Sequence, residues 1–207
     1  MGLILPTVYP ITDRRISGLS HAEQVRRLIL GGATFIQLRD KDASPRDFYR
    51  QAVDALEIAR KHNVKIIIND RVDLALALRA DGVHLGQTDL PPEAARRLLG
   101  QAAIIGFSTH YAAQTLMATN LPVNYIAFGP IFKTSTKEKP DPVAGLAALQ
   151  QARKATGAVP LVAIGGINGT NAKAVLGAGA DSLAMISELL DPADGIEENM
   201  RKLLTIA

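Results

Sequence analysis

The chain has 207 residues, 47% of them apolar, enough for one domain with a substantial buried core. Its net charge is +3, and Lys and Arg are scattered or paired (Arg14-Arg15, Arg26-Arg27, Arg96-Arg97), which argues against a nucleic-acid arm or a basic membrane patch. With no cysteine, disulfides, thiolate zinc sites and cysteine nucleophiles are excluded.

In chain order, the opening MGLILPTVYPITD has no basic segment, and its apolar run is too short for a signal peptide. No apolar stretch approaches the roughly 20 residues that span a bilayer, so a soluble, cytoplasmic protein is expected. Strands are predicted at Thr7–Ile11, Phe35–Leu38, Lys65–Ile68, Gly82–Leu85, Ile104–Phe107, Asn124–Phe128, Pro160–Ile164 and Ser182–Ile186. Helical spacing appears between them at Ala22–Leu30, Phe48–Ala59, Ala94–Leu99, Val143–Ala155 and Asn171–Leu176. Ser44-Pro45 and Pro91-Pro92-Glu93 mark two helix starts. Eight strands alternating with helices predict one α/β domain over residues 1–207, a (β/α)8 barrel closed by parallel strands. Pro10 fits badly, because it removes a ladder hydrogen bond where a closed barrel has no free edge; a local irregularity is expected there.

Barrels of this type gather chemistry at the carboxyl ends of their strands. In FIQLRDK (Phe35–Lys41), alternation puts Gln37, Arg39 and Lys41 on one side. The other ends supply Asn69-Asp70, Gln87 and Asp89, Ser108-Thr109-His110, Thr134–Lys137, Gly165-Gly166 and Ile186-Ser187. Arg39, Lys41 and Lys137 suit a multiply charged anion such as pyrophosphate. Asp70 and Asp89 offer the two hard oxygen donors by which Mg²⁺ is usually held beside substrate phosphates. Gly165-Gly166 and Ile186-Ser187 follow the last two strands, where backbone N–H groups commonly bind a single phosphate. No covalent nucleophile is evident. His110 has no obvious carboxylate partner and reads as structural, as does His84 among its apolar neighbours. Taken singly, each of these residues has an ordinary reading: Arg39 and Lys41 paired with Asp40 and Asp42, Asp70 with Arg71, and Ser187 as a helix cap.

Seven stretches in order then carry a resemblance: YPITD (Tyr9–Asp13), QLRDK (Gln37–Lys41), INDRVDLALALRADGVHLGQTDLP (Ile68–Pro91), IGFSTH (Ile105–His110), YIAFGPIFKTSTK (Tyr125–Lys137), AIGGI (Ala163–Ile167) and MIS (Met185–Ser187). From Tyr9 to about Ser187 the chain resembles the thiamine phosphate synthase family. The resemblance implies a phosphate-binding (β/α)8 barrel that joins an aminopyrimidine methyl diphosphate to a thiazole phosphate and releases pyrophosphate. Its substrates would be small molecules, with no nucleic acid or membrane involved. It assigns Gln37, Leu38, Arg39, Asp40, Lys41, Asn69, Ser108 and Lys137 to the pyrimidine diphosphate, and Asp70 and Asp89 to Mg²⁺. Thr134, Ser135, Thr136, Gly166, Ile186 and Ser187 would hold the thiazole phosphate. Arg39 and Lys137 would be catalytic together with the metal. A related group of barrels only tautomerises the thiazole carboxylate; it carries a histidine just after the strand-six glycine, where this chain has Pro130. The approach to strand six, ATNLPVN, departs from the family's usual glycine-alanine-aspartate, a difference expected to touch packing alone.

Overall fold

The computed structural model describes residues 3–134, 136 and 141–206. Its first half runs β1 (Val8–Thr12), α1 (Arg14–Ser17), α2 (His21–Leu30), β2 (Phe35–Leu38), α3 (Pro45–Lys61), β3 (Lys65–Asn69), α4 (Val72–Leu78), β4 (Gly82–Leu85) and α5 (Pro92–Leu99). The second half runs β5 (Ile104–Thr109), α6 (Ala112–Ala118), β6 (Tyr125–Phe128), α7 (Gly145–Thr156), β7 (Leu161–Ile164), α8 (Ala172–Gly177), β8 (Ser182–Met185), α9 (Ser187–Leu190) and α10 (Ile196–Ile206). The strands pair in sequence order, all parallel, and β8 returns to β1 to close the barrel. Among the described residues, no helix is long and apolar enough to cross a membrane.

Closure buries both faces of every strand, which is why runs such as KIII and LVAI are almost continuously apolar. Alternate residues serve different layers. Along β2, Phe35 and Gln37 face the barrel axis, whereas Ile36 and Leu38 pack among the helices. The axial layer is small: Tyr9, Ile11, Phe35, Ile67, Tyr125, Ala127, Val162 and Ala184. Pro10 lies within an unbroken β1. Pairing with β8 runs from Val8 to Pro10, while pairing with β2 is confined to Ile11 and Thr12, beyond the proline.

The helix starts use side-chain oxygens where the sequence offers them. Ser20 accepts from Glu23 N, and Ser44 accepts from Asp47 N ahead of Pro45. Helices α4 and α6 begin at Arg71 and Tyr111 with no side-chain cap. The sequence pattern assigned neither.

One pinning device recurs. The residue just before β4, β6 and β8 is Asp81, Asn124 and Asp181. Each donates its backbone N–H to a carbonyl of the preceding strand and accepts that residue's N–H on its side chain. The partners are Ile66 (3.0 and 2.9 Å), Ile105 (2.7 and 2.8 Å) and Leu161 (2.8 and 2.7 Å). Asn124 therefore does with an amide oxygen what the two aspartates do, and it also accepts from Arg96 Nη2 at 2.7 Å. The unusual approach to β6 keeps the contact. Asn124→Ala should lower folding stability by about 2 kcal/mol, since it strands the Ile105 N–H and one arm of Arg96. Asn124→Asp should retain stability. Urea denaturation of the two variants measures the difference.

Candidate active site

A cavity of about 550 Å³ opens at the carboxyl ends of the strands. Gln37, Arg39, Lys41, Asn69, Asp70, Asp89, Ser108, Thr134, Thr136, Gly166, Ile186 and Ser187 all line it. The alternation begun in β2 continues past the strand's end, so Gln37, Arg39 and Lys41 share the cavity side. Leu38 and Asp40, which the resemblance also assigns to the pyrimidine diphosphate, are not among the lining residues. Leu38 is wholly buried between strands and helices. Asp40 turns behind the site, 3.4 Å from His21 Nε2 and 3.5 Å from Arg14 Nη1, and accepts the N–H groups of Ala43 and Asp42. Burial pushes the Asp40 carboxyl up, but those N–H groups together with the nearby His21 and Arg14 outweigh it and hold the group below its ordinary value. Neither side chain lines the cavity. Ser135 and Lys137 lie outside the described residues.

The cations are held by carboxylates other than their sequence neighbours. Arg39 Nη1 donates to Asp13 Oδ2 at 2.5 Å, and Asp13 is buried while also capping α1 through Arg15 N. Lys41 Nζ bonds Asp70. Arg71 pairs with Asp73 at 2.8 Å instead of neutralising Asp70. Asp70 adopts a left-handed backbone, φ 62°, uncommon outside glycine, which turns its carboxylate into the cavity. Asp89 Oδ2 accepts from Gly86 N at 2.7 Å. Its carboxyl is pushed up first by burial and then by the like charge of Asp70, so the two aspartates face each other electrostatically.

The opposite wall is backbone. Gly165 and Gly166 sit at φ 100° and 63°; a Cβ would strike Pro130 at the first and the Lys133 carbonyl at the second. This close approach requires glycine. Asn171 Nδ2 donates to Gly166 O at 2.9 Å and fixes the turn. Ser187 opens the four-residue helix α9 behind Ile186, and no side chain caps it. Ser187 lines the cavity and is the first residue of α9, so it does not stand at the cap position.

The floor holds residues that the sequence reading passed over. Tyr9 and His84 line the cavity, with Tyr125 beneath them. Burial pushes the His84 pKa down to about 4 and both phenols well above their ordinary value. His110 also lines the cavity. Its Nδ1 donates to Gly129 O at 2.8 Å and stands 3.6 Å from Asp141 Oδ2, a carboxylate neighbour the sequence did not disclose. The signal for Tyr9 and Asp13 lay in YPITD, which frames the first strand end.

Comparison with known proteins gives a consistent result. A family model described as thiamine monophosphate synthase matches residues 8–189. The chain is 46% identical over 189 residues to a thiamine-phosphate synthase of Clostridium novyi, covering 90% of this chain and 92% of that protein. It is 43% identical over 201 residues to the Chlorobium phaeovibrioides enzyme of the same name, covering 96% and 94%. The solved structure of a thiamine phosphate pyrophosphorylase from Pyrococcus furiosus superposes with TM-score 0.86 at 36% identity, covering 97% of this chain and 94% of that one. A 3-hexulose-6-phosphate synthase, at TM-score 0.74 and 16% identity, shares the fold alone. On the matched span, the identities and the barrel geometry together, this chain belongs to the thiamine monophosphate synthase family.

Proposed function

We propose that this cavity carries out thiamine phosphate formation. The exocyclic carbon of an aminopyrimidine methyl diphosphate loses pyrophosphate and is captured by the nitrogen of a thiazole phosphate. The C–O bond to the diphosphate breaks, its electron pair leaves with pyrophosphate, and the new C–N bond takes its place. The observation that carries the reading is the convergence of Arg39, Lys41, Asp70 and Asp89 at one end of the cavity, facing the glycine wall at the other. One end suits a diphosphate and the other a monophosphate. The enzyme is a transferase acting on small molecules, and we place it in the cytoplasm.

The chain's own groups have distinct tasks. Arg39, fixed by Asp13, meets the negative charge that develops on the departing pyrophosphate, with Lys41 and Lys137 as further cations. Gln37, Asn69 and Ser108 orient the pyrimidine diphosphate. Thr134, Ser135, Thr136, Gly166, Ile186 and Ser187 hold the thiazole phosphate, so two substrates react as neighbours. No covalent nucleophile is needed.

The donor set also fits a magnesium ion. Among the described residues, no cluster of three metal-ligating side chains forms, so Asp70 and Asp89 would be its protein ligands, and substrate oxygens and water would complete the shell. Their mutual repulsion, visible in the raised Asp89 carboxyl, is what a divalent cation relieves. When bound, it would neutralise charge on the pyrophosphate. A tautomerase reading gains nothing from the cavity, which has Pro130 at the position where that group carries histidine.

Incubation of purified protein with both phosphorylated rings and Mg²⁺ should release pyrophosphate and yield thiamine phosphate; folded protein without turnover would remove the proposal. Arg39→Ala and Asp70→Ala should each cut kcat/KM at least about a hundredfold, with circular dichroism unchanged. Normal rates in both would break the site map.

A raised carboxyl also predicts a stability effect. The fold favours neutral Asp89, so its ionisation destabilises the fold, and stability falls as pH rises from the ordinary carboxylate pKa through the raised folded value. Asp89→Asn keeps an acceptor for Gly86 N and should raise Tm at neutral pH without metal. Mg²⁺ should raise the Tm of the native chain and leave that of Asp89→Asn nearly unmoved. Thermal melts with and without Mg²⁺ decide it.

A further inference from the structure

Polar side chains cross the cavity floor in an unbroken file. Gln37 Nε2 donates to Tyr9 Oη at 2.8 Å, and Tyr9 Oη lies 2.9 Å from Tyr125 Oη. Tyr125 Oη lies 3.0 Å from His84 Nδ1, and His84 Nε2 lies 2.8 Å from Ser108 Oγ. The inner members are buried, and both ring nitrogens of the imidazole face hydroxyl groups, with no carboxylate among the described residues bonded to either. Gly106 makes room for them, since a Cβ there would stand 2.1 Å from the Tyr125 ring and 2.5 Å from His84 Nδ1.

Each inner member has one proton to pass along the file. Among the described residues, Tyr9 and Tyr125 make side-chain hydrogen bonds only within the file. A phenol that accepts from one neighbour therefore keeps its own proton satisfied by donating to the next, and the file has two polarities and reverses as a unit. The end at Gln37 decides between them, because an amide nitrogen only donates. Tyr9 therefore donates to Tyr125, and Tyr125 donates to Nδ1 of His84. His84 carries its proton on Nε2 and donates to Ser108 Oγ. The Ser108 hydroxyl proton is left to point into the cavity.

We propose that Tyr9, Tyr125 and His84 are positioning residues that hold Ser108 as an outward hydrogen-bond donor to a diphosphate oxygen. The chemistry matches: an ionised diphosphate oxygen accepts only, and the reverse polarity would turn serine lone pairs toward it. The inference rests on the functional reading above. It adds a role for Tyr125, which does not line the cavity.

Nitrogen-15 NMR of the native, full-length chain should show His84 as the Nε2–H tautomer; an Nδ1–H tautomer overturns the proposal. Gln37→Glu places an acceptor at the head of the file and should switch His84 to Nδ1–H, whereas an unchanged tautomer overturns it. Magnesium pyrophosphate serves as the binding probe, by calorimetry. Ser108→Ala and Tyr125→Phe should each weaken it about tenfold, the scale of one hydrogen bond to a charged acceptor. The double variant should bind no worse than Ser108→Ala alone. If Tyr125→Phe costs further affinity in the Ser108→Ala background, or none in the native one, Tyr125 does not act through Ser108. Neither readout needs turnover. The expected tautomer with no condensation would sink the functional reading alone, and the wrong tautomer with normal condensation would sink only the relay.

Discussion

A closed parallel barrel leaves its strands no free edge and no solvated face, so polar side chains at the strand ends must be matched by another protein group or by a ligand. The mouth of this barrel meets that constraint in two ways. Its cations rest on carboxylates, Arg39 on Asp13 and Lys41 on Asp70. Its neutral polar groups rest on one another, from Gln37 through two phenols and an imidazole to Ser108. Among the described residues, Asp89 has no ion pair of its own, and its carboxyl is raised. It marks where positive charge is wanted.

The same constraint explains why so much was legible in the sequence. Strands buried on both sides read as short apolar runs, and the residue after each run has to be at the mouth. Eight runs therefore located both the barrel and the residues that line its mouth. The alternation in FIQLRDK survived beyond the end of β2, which put Gln37, Arg39 and Lys41 together as expected. Side-chain direction past the strand was harder to read. Asp40 lies between two cavity residues, and the same alternation sends it to His21 behind the site. Partner choice was hidden for the same reason: Arg39 and Lys41 skip the adjacent Asp40 and Asp42 for carboxylates on β1 and β3 ends, a pairing fixed by strand order rather than by chain distance.

Some misses have more local causes. His84 was read as a satisfied barrel residue, which is true of its hydrogen bonds and incomplete as to its place, since those bonds lead to Ser108. Gly106 offered the missing signal. A glycine inside a strand weakens it unless something must come close, and here Tyr125 and His84 do. Helix α10 went unassigned although Ile196, Met200 and Leu203 keep helical spacing and are buried.

The two ion pairs at the mouth differ in a way that bears on how an anion enters. Arg39 and Asp13 are 11% and 3% exposed at their side chains, a buried pair whose rupture would cost several kcal/mol. Lys41 and Asp70 are 49% and 20% exposed, closer to the surface pairs that contribute about 1 kcal/mol or less. Arg39 is therefore a fixed part of the site and would meet the diphosphate while still resting on Asp13. The Lys41–Asp70 pair is the one that separates cheaply. On the proposed reading, Asp70 would be the ligand for a divalent cation, and Lys41, whose pair with it is the weaker one, would be available to the anion. The weaker pair holds the site open at little cost, and the stronger one keeps its geometry.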